Sequence, residues 1–175
     1  MRPLTLLLLA SLLLQLACDG ATRDRRRARG EFFVSDPDHI YFMNTRTRDY
    51  ADRPLEDGLT LYLHEEQTAL GAPVQFAIRD NWFDDEAYLE VRYVGVSQGN
   101  ETVGPDFGLQ VREGESWAPV PVRTVAHLTA LRRMIASNRE LRVYNYGETR
   151  EALPEGKARG VALEVLDDYL RLVGD

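Results

Sequence analysis

The residue pattern closest to a catalytic motif is Gly95-Val96-Ser97-Gln98-Gly99, which matches the spacing G-x-S-x-G. In that motif, a tight turn between a strand and a helix exposes the serine hydroxyl to a histidine base. Asp106 and His127 follow Ser97 in a permissible order, so a hydrolase using Ser97 and His127 is a candidate. The motif needs a helix after the serine, whereas residues 100–105 have loop composition. The pattern therefore favours a surface loop, with the hydrolase as the alternative.

The densest acidic cluster is Asp84-Asp85-Glu86. Three carboxylates can bind Ca²⁺ or another hard cation. These three are consecutive, and successive residues entering a strand point to opposite faces, so they do not easily converge. The spacing favours a charged turn, with a metal at this cluster as the alternative. His39, His64 and His127 show no zinc-binding spacing, so we expect no metal and no cofactor.

Several aromatic and arginine residues lie in or beside strand-like segments. Tyr, Trp and Arg are the residue types that most often anchor binding partners. Aromatic residues are also common in sheets and cores, which is the competing interpretation. Trp82 is the best candidate for an exposed anchor because it lies in a polar turn. The candidate binding surface comprises Trp82, Tyr41, Tyr62, Tyr88, Arg46 and Arg48, with Tyr50 and Phe83 nearby in sequence.

The start of the chain has the features of an export signal. Arg2 precedes a leucine-rich run that is too short to span a bilayer comfortably and ends in small residues. Leu16-Ala17-Cys18 resembles the end of a bacterial lipobox, although Gln15 stands where the pattern usually has an apolar residue. The resemblance implies a signal peptide over residues 1–17 and lipid attachment at Cys18. An incidental Cys beside an ordinary cleavage site is the alternative.

The chain divides into a basic segment and an acidic domain. Residues 19–30 hold five Arg and two Asp, whereas residues 31–175 hold 15 basic and 26 acidic residues. The first segment has no apolar periodicity, which predicts that residues 18–30 form a flexible tether after a lipidated Cys. Its arginines can lie on anionic headgroups or simply keep a spacer extended. The domain's net charge of −11 argues against nucleic-acid binding.

Hydropathy patterns predict a single α+β domain over residues 31–175. Alternation, or enrichment in aromatic and β-branched residues, indicates strands. Apolar residues spaced three and four apart indicate two helices near the C-terminus, the first capped by Thr124. Short turns between strands predict an antiparallel sheet or sandwich with the two helices packed on it. The predicted strands are 39–47, 59–64, 74–79, 87–93, 109–112 and 141–146, residues 117–121 are expected to be extended because their prolines disfavour a helix, and the predicted helices are 125–135 and 161–173.

The second half of the domain resembles small exported β-sandwich domains of the invasion-associated locus B type. The resemblance lies in Leu131-Arg132-Arg133, Leu141-Arg142-Val143 and Gly160-Val161-Ala162-Leu163, and covers residues 124–170. It implies a non-enzymatic envelope protein. No functional residue is carried over by it, and the disulfide cysteines common in such domains are absent here.

These observations together predict a non-enzymatic lipoprotein of the bacterial cell envelope. It would be exported and membrane-anchored, with its domain in the periplasm or at the cell surface. We expect a protein or glycan partner for the domain and no nucleic acid. A small envelope hydrolase is the alternative, and an assembly or chaperone-like subunit is a third possibility.

Overall fold

The computed structural model describes residues 32–94, 108–145 and 148–174. Within these ranges the chain forms eight strands and four α-helices. The elements are α1 (Asp36–Tyr41), a π-helical turn (Phe42–Arg46), a 3-10 turn (Thr47–Asp49), β1 (Tyr50–Pro54), a second 3-10 turn (Glu56–Gly58), β2 (Leu59–His64), α2 (Glu65–Leu70), β3 (Val74–Asn81), β4 (Glu86–Tyr93), β5 (Gly108–Glu113), β6 (Ser116–Val120), α3 (Val125–Ala136), β7 (Leu141–Asn145), β8 (Glu148–Glu151) and α4 (Lys157–Leu172).

The predicted α+β class is confirmed. The strands form two four-stranded antiparallel sheets, and α3 packs against α4 near the end of the chain. Five of the six predicted strands, the extended segment 117–121 and both predicted helices correspond to observed elements, with ends that differ by a few residues. The structure adds β1, α2 and β8, which are short and mostly polar and therefore give little hydropathy signal.

The strand predicted over residues 39–47 is wrong, because this segment is helical. Ser35 caps α1 by accepting a hydrogen bond from the Asp38 backbone N–H, and Pro37 fits the first helical turn. Asp36 and Asp38 place negative charge at the positive end of the helix dipole. The aromatic content of the segment instead reflects burial of Phe42 against the sheet.

The first sheet is a meander in the order β1-β2-β3-β4. Alternation along β3 buries Phe76 and Ile78 in the core cluster, whereas Arg79 lies on the opposite face. Residues 82–85 turn β3 into β4. The first described residues then run beside β4, where the Ala87 backbone N–H donates to the Phe32 carbonyl at 3.0 Å. The β3–β4 turn and the entry of the chain into the domain are therefore neighbours.

The second sheet has the order β6-β5-β7-β8, which is not the order of the sequence. β5 pairs with β6 in a hairpin and, on its other side, with β7, which follows α3. Residues on β6 and β7 that are far apart in sequence thereby lie on either side of β5.

The two long helices fill the interior. α4 contacts β3, β4 and α3, and buries Val165, Leu166 and Tyr169 completely. The predicted cap of α3 is confirmed, since the Thr124 hydroxyl accepts a hydrogen bond from the His127 backbone N–H at 3.2 Å. Both sheets and these helices contribute to one cluster of buried apolar residues. Among the described helices, none is both long and apolar enough to cross a membrane.

Candidate functional site

Trp82, the predicted anchor residue, is exposed and held in place. It lies in the β3–β4 turn with 55% of its surface exposed, and the neighbouring Phe83 is 78% exposed. The centroid of the Trp82 ring lies 4.0 Å from that of the His39 imidazole. Phe83 lies against Gly58, where an added Cβ would be only 2.2 Å from a ring carbon. The turn thus presents two aromatic side chains whose inner edges are packed.

A buried histidine and aspartate pair lies beneath Trp82. His39 Nε2 and Asp80 Oδ2 are 2.7 Å apart, and both side chains are almost fully buried. A histidine with an aspartate partner supplies the base and the orienting acid of a hydrolytic triad, which also needs a nucleophile. The nearest serine in sequence, Ser35, donates its hydroxyl hydrogen bond to Asp38 rather than to His39. In the described part of the chain the pair therefore positions the Trp82 ring and has no serine or cysteine nucleophile bonded to it.

Three predicted surface residues belong to the helical segment 36–49. Tyr41 and Arg46 face α4: the Arg171 guanidinium lies 3.7 Å from the Tyr41 ring centroid, and Arg46 Nε donates to both Asp168 carboxylate oxygens. Arg48 is exposed, with its Nε 3.7 Å from the Asp49 carboxylate. Tyr41 and Arg46 therefore fasten this segment to the last helix.

Tyr62 does not belong to an exposed surface. It is 5% exposed, packs edge-on against Phe42 and donates its hydroxyl to the Met43 sulfur at 3.3 Å. The alternation along β2 that suggests a half-exposed strand is overridden here because the helical segment covers that face. The pKa of Tyr62 is raised to about 12, mainly by burial of the hydroxyl and next by the negative charge of Asp80.

Tyr88 lies on the face of the first sheet opposite to the core. It is adjacent to Arg79 across the β3–β4 pair and its ring packs against Phe32. Its hydroxyl donates to Glu86, and that hydrogen bond is the largest cause that raises the pKa of Tyr88 to about 12. The six candidate residues thus occupy different environments, and only Trp82, Tyr88 and Arg48 are placed to meet a partner.

The structure does not gather the acidic cluster into a metal site. Asp84 accepts a hydrogen bond from the Asn81 side chain at 2.7 Å, and Glu86 accepts one from Tyr88. Asp85 adopts a positive φ of 54° in the turn, so its side chain points in a different direction from those of Asp84 and Glu86. Across residues 32–94, 108–145 and 148–174, no group of three or more His, Cys, Asp and Glu side chains could hold a metal ion.

The remaining predicted residues lie partly outside the described ranges. Ser97, Asp106, Cys18 and the tether at 18–30 are outside the residues that the structure describes. His127 lies in the first turn of α3, where its Nδ1 is buried without a hydrogen-bond partner among the described residues. No contact between Ser97 and His127 is therefore available to support the hydrolase.

A groove on the second sheet is a site that the sequence does not indicate. Trp117 on β6 and Arg142 on β7 lie on either side of β5 and stack, with the guanidinium carbon 4.2 Å from the ring centroid. Arg142 Nε also donates to the Gln110 side chain at 2.7 Å, which fixes the guanidinium plane. The Trp117–Arg142 groove has a volume of about 750 Å³, within the range of small-ligand sites.

The lining of this groove is polar and balanced in charge. Three arginines and three glutamates line it, together with the amide of Asn138 and the hydroxyl of Thr149. The charged residues are Arg142, Arg150, Arg159, Glu140, Glu151 and Glu155. The formal charges of these six residues cancel, so the lining as a whole does not select for a charged ligand. The groove instead offers many hydrogen-bond donors and acceptors beside the Trp117 ring, one face of which Arg142 covers, and this lining suits a neutral polar ligand.

Buried groups make the groove rigid. Arg159 is 6% exposed and donates from Nε to the Leu153 carbonyl at 3.1 Å and from Nη1 to the Arg139 carbonyl at 2.9 Å. Tyr144, two residues after Arg142 and on the same face of β7, lies over Gly108, where an added Cβ would be 2.6 Å from the ring. Side chains held in this way lose little entropy when a ligand binds.

Comparison with protein-family models, with curated proteins and with solved structures found no match to this chain.

Proposed function

We propose that this chain is a non-enzymatic, lipid-anchored protein of the bacterial cell envelope that binds a neutral oligosaccharide in the Trp117–Arg142 groove. The observation that carries the ligand class is the stacked Trp117–Arg142 pair inside a charge-balanced polar groove. Sugar rings offer an apolar face for an aromatic ring and hydroxyls for surrounding donors and acceptors. The anchor rests on the lipobox-like Leu16-Ala17-Cys18 alone.

Binding is tested by titrating the purified chain with chitotriose and maltotetraose and recording intrinsic fluorescence and heat. We expect saturable binding of at least one sugar. Trp117→Ala should weaken it at least about tenfold, because the ring supplies the apolar contact area. Trp82→Ala is the matched control, since it removes the same side chain from the other sheet and should leave the affinity unchanged. Equal losses in both variants, or no binding of either sugar, would contradict the proposal.

Anchoring is tested separately by fractionating cells that express the Cys18→Ala variant. We expect the native chain in the membrane fraction and the variant in the soluble envelope fraction, because a thioether-linked lipid with an added acyl chain anchors stably. Tight membrane association of the variant would contradict the proposed anchor at Cys18 and would not affect the proposed sugar binding.

The hydrolase using Ser97 and His127 is the second candidate, whereas a metal at Asp84–Glu86 is not proposed, because the described residues there do not form a group that could hold one. No observation in the described residues favours it over the binding function. A Ser97→Ala variant with an unchanged cellular phenotype would remove its basis.

A further inference from the structure

The β3–β4 turn combines two exposed aromatic side chains with a rigid base. Trp82 is 55% and Phe83 78% exposed, and the preceding helix adds Ile40, which is 55% exposed beside His39. The inner sides of the aromatic rings pack on His39 and Gly58. Exposed, immobilised Trp and Phe side chains are the composition of a surface that enters the interfacial region of a bilayer.

The start of the domain lies next to this turn. The Val34 backbone N–H donates to the Asp85 carbonyl at 2.8 Å, and Phe33 forms a bridge to Glu86. The Phe32 ring packs against Tyr88, 4.9 Å between centroids. Residues 18–31 precede this point, and 14 residues reach at most about 50 Å when extended. A chain anchored at Cys18 therefore holds this end of the first sheet within about 50 Å of the bilayer.

The turn and the start of β4 carry three carboxylates, those of Asp84, Asp85 and Glu86. Asp84 and Glu86 accept hydrogen bonds from Asn81 and Tyr88, which directs both carboxylates back toward the strands. The five arginines of residues 19–30 precede this edge in the sequence, and beside an anionic surface their charge would offset that of the acidic turn.

We infer that the β3–β4 turn docks on the phospholipid surface, with Trp82 and Phe83 inserted at headgroup depth. This orientation rests on the proposed anchor at Cys18. It directs one fixed side of the domain toward the membrane and assigns the exposed aromatic pair to lipid rather than to a protein partner.

The test uses the full chain purified from membranes and reconstituted in phosphatidylglycerol/phosphatidylcholine vesicles that contain brominated lipid. The Trp117→Phe variant leaves Trp82 as the only tryptophan, and the Trp82→Phe variant leaves only Trp117. We expect at least twofold quenching of Trp82 and little quenching of Trp117. Phe83→Ser should reduce the quenching of Trp82, whereas Leu70→Ser is the control, since Leu70 is an exposed apolar residue at the end of α2.

The outcomes separate the orientation from the anchor. A lipidated, vesicle-bound chain whose Trp82 is unquenched would overturn the docking surface and leave the anchor intact. Equal quenching of both tryptophans would also overturn it, because the domain then has no fixed orientation. A chain without a lipid mass on Cys18 that stays off the vesicles would overturn the anchor and the orientation together.

Discussion

Asp168 joins the last helix to the helical segment 36–49 through Arg46 and to the start of β1 through Tyr50. Its carboxylate accepts hydrogen bonds from Arg46 Nε at 2.8 and 2.9 Å and from the Tyr50 hydroxyl at 2.8 Å. The site is mostly buried, with 10% of the Asp168 side chain exposed. Burial, and then the neighbouring Asp168 charge, raise the pKa of Tyr50 above its usual range.

Replacing Asp168→Asn should lower the free energy of unfolding by about 1–3 kcal/mol, because it removes the charge that Arg46 Nε contacts and leaves the partly buried guanidinium with Asp49 as its counter-ion. The next residue provides a matched control. Asp167 pairs with Arg132 where both side chains are largely exposed, so Asp167→Asn should cost at most about 1 kcal/mol. Urea unfolding of the two variants measures the difference, and equal costs would show that Asp168 acts only as a surface charge.

Tyr62 gives the chain a stability limit at alkaline pH. Its pKa is about 12 in the folded state against about 10 in the unfolded chain, so the unfolded state loses its proton first. The contribution is complete below pH 10 and falls as the pH rises through about 12, by up to about 1.4 kcal/mol per pH unit. Tyr50, whose pKa is also raised, steepens the same fall.

The Tyr62→Phe variant should therefore lose less stability than the native chain between pH 9 and 11.5. Its cost at pH 8 should be small, because in the described part of the chain the hydroxyl donates one hydrogen bond, to the weak Met43 sulfur acceptor at 3.3 Å. Urea unfolding at stepped pH measures both slopes. Parallel slopes in the two proteins would show that Tyr62 titrates alike in the folded and unfolded states.

At the scale of elements, the turn before β2 depends on Gly58. Its φ is +76°, and an added Cβ would lie 2.2 Å from the Phe83 ring. Gly71, which ends α2 with φ +62°, has open space around it. Gly71→Ala should cost about 1 kcal/mol from backbone strain alone. Gly58→Ala should cost at least about 1 kcal/mol more, because Phe83 must also move.

A double variant separates the two terms at Gly58. Phe83→Ala removes the ring and should itself cost little, because 78% of Phe83 is exposed. In that background Gly58→Ala should cost no more than Gly71→Ala. Thermal unfolding of the four proteins gives the interaction energy, and simple additivity would contradict the predicted contact.

The helix α1 is not predicted from the residue pattern, which favours a strand over residues 39–47. Residues 39–47 carry the aromatic and β-branched content of a strand, yet Ser35 and Asp38 stand at the spacing of a helix cap. The cap outweighs the weak strand preference because Phe42 can be buried while the segment is helical, so burial of this ring does not require a strand. By contrast, strands at 74–79 and 87–93 are predictable, since their alternation matches one buried face of a meander.

At the scale of the whole molecule, the candidate site depends on strand order. Trp117 and Arg142 are 25 residues apart and become neighbours only because β7 returns to pair with β5 after α3. Hydropathy alternation gives each strand but not this pairing, so the groove could not be predicted from the sequence. The exposure of Trp82 could be predicted, because a polar turn between two strands offers few apolar residues that could cover a tryptophan ring.

The short pairing of residues 32–34 with β4 also determines how the domain responds to mechanical force. Tension applied through the preceding chain acts first on two backbone hydrogen bonds, from Val34 to Asp85 and from Ala87 to Phe32. Phe33 and Val34 are buried behind them, 5% and 1% exposed. A pull from the N-terminal side therefore meets this short edge contact before it strains α4 or the second sheet, so we expect the contact to open while the Trp117–Arg142 groove stays folded.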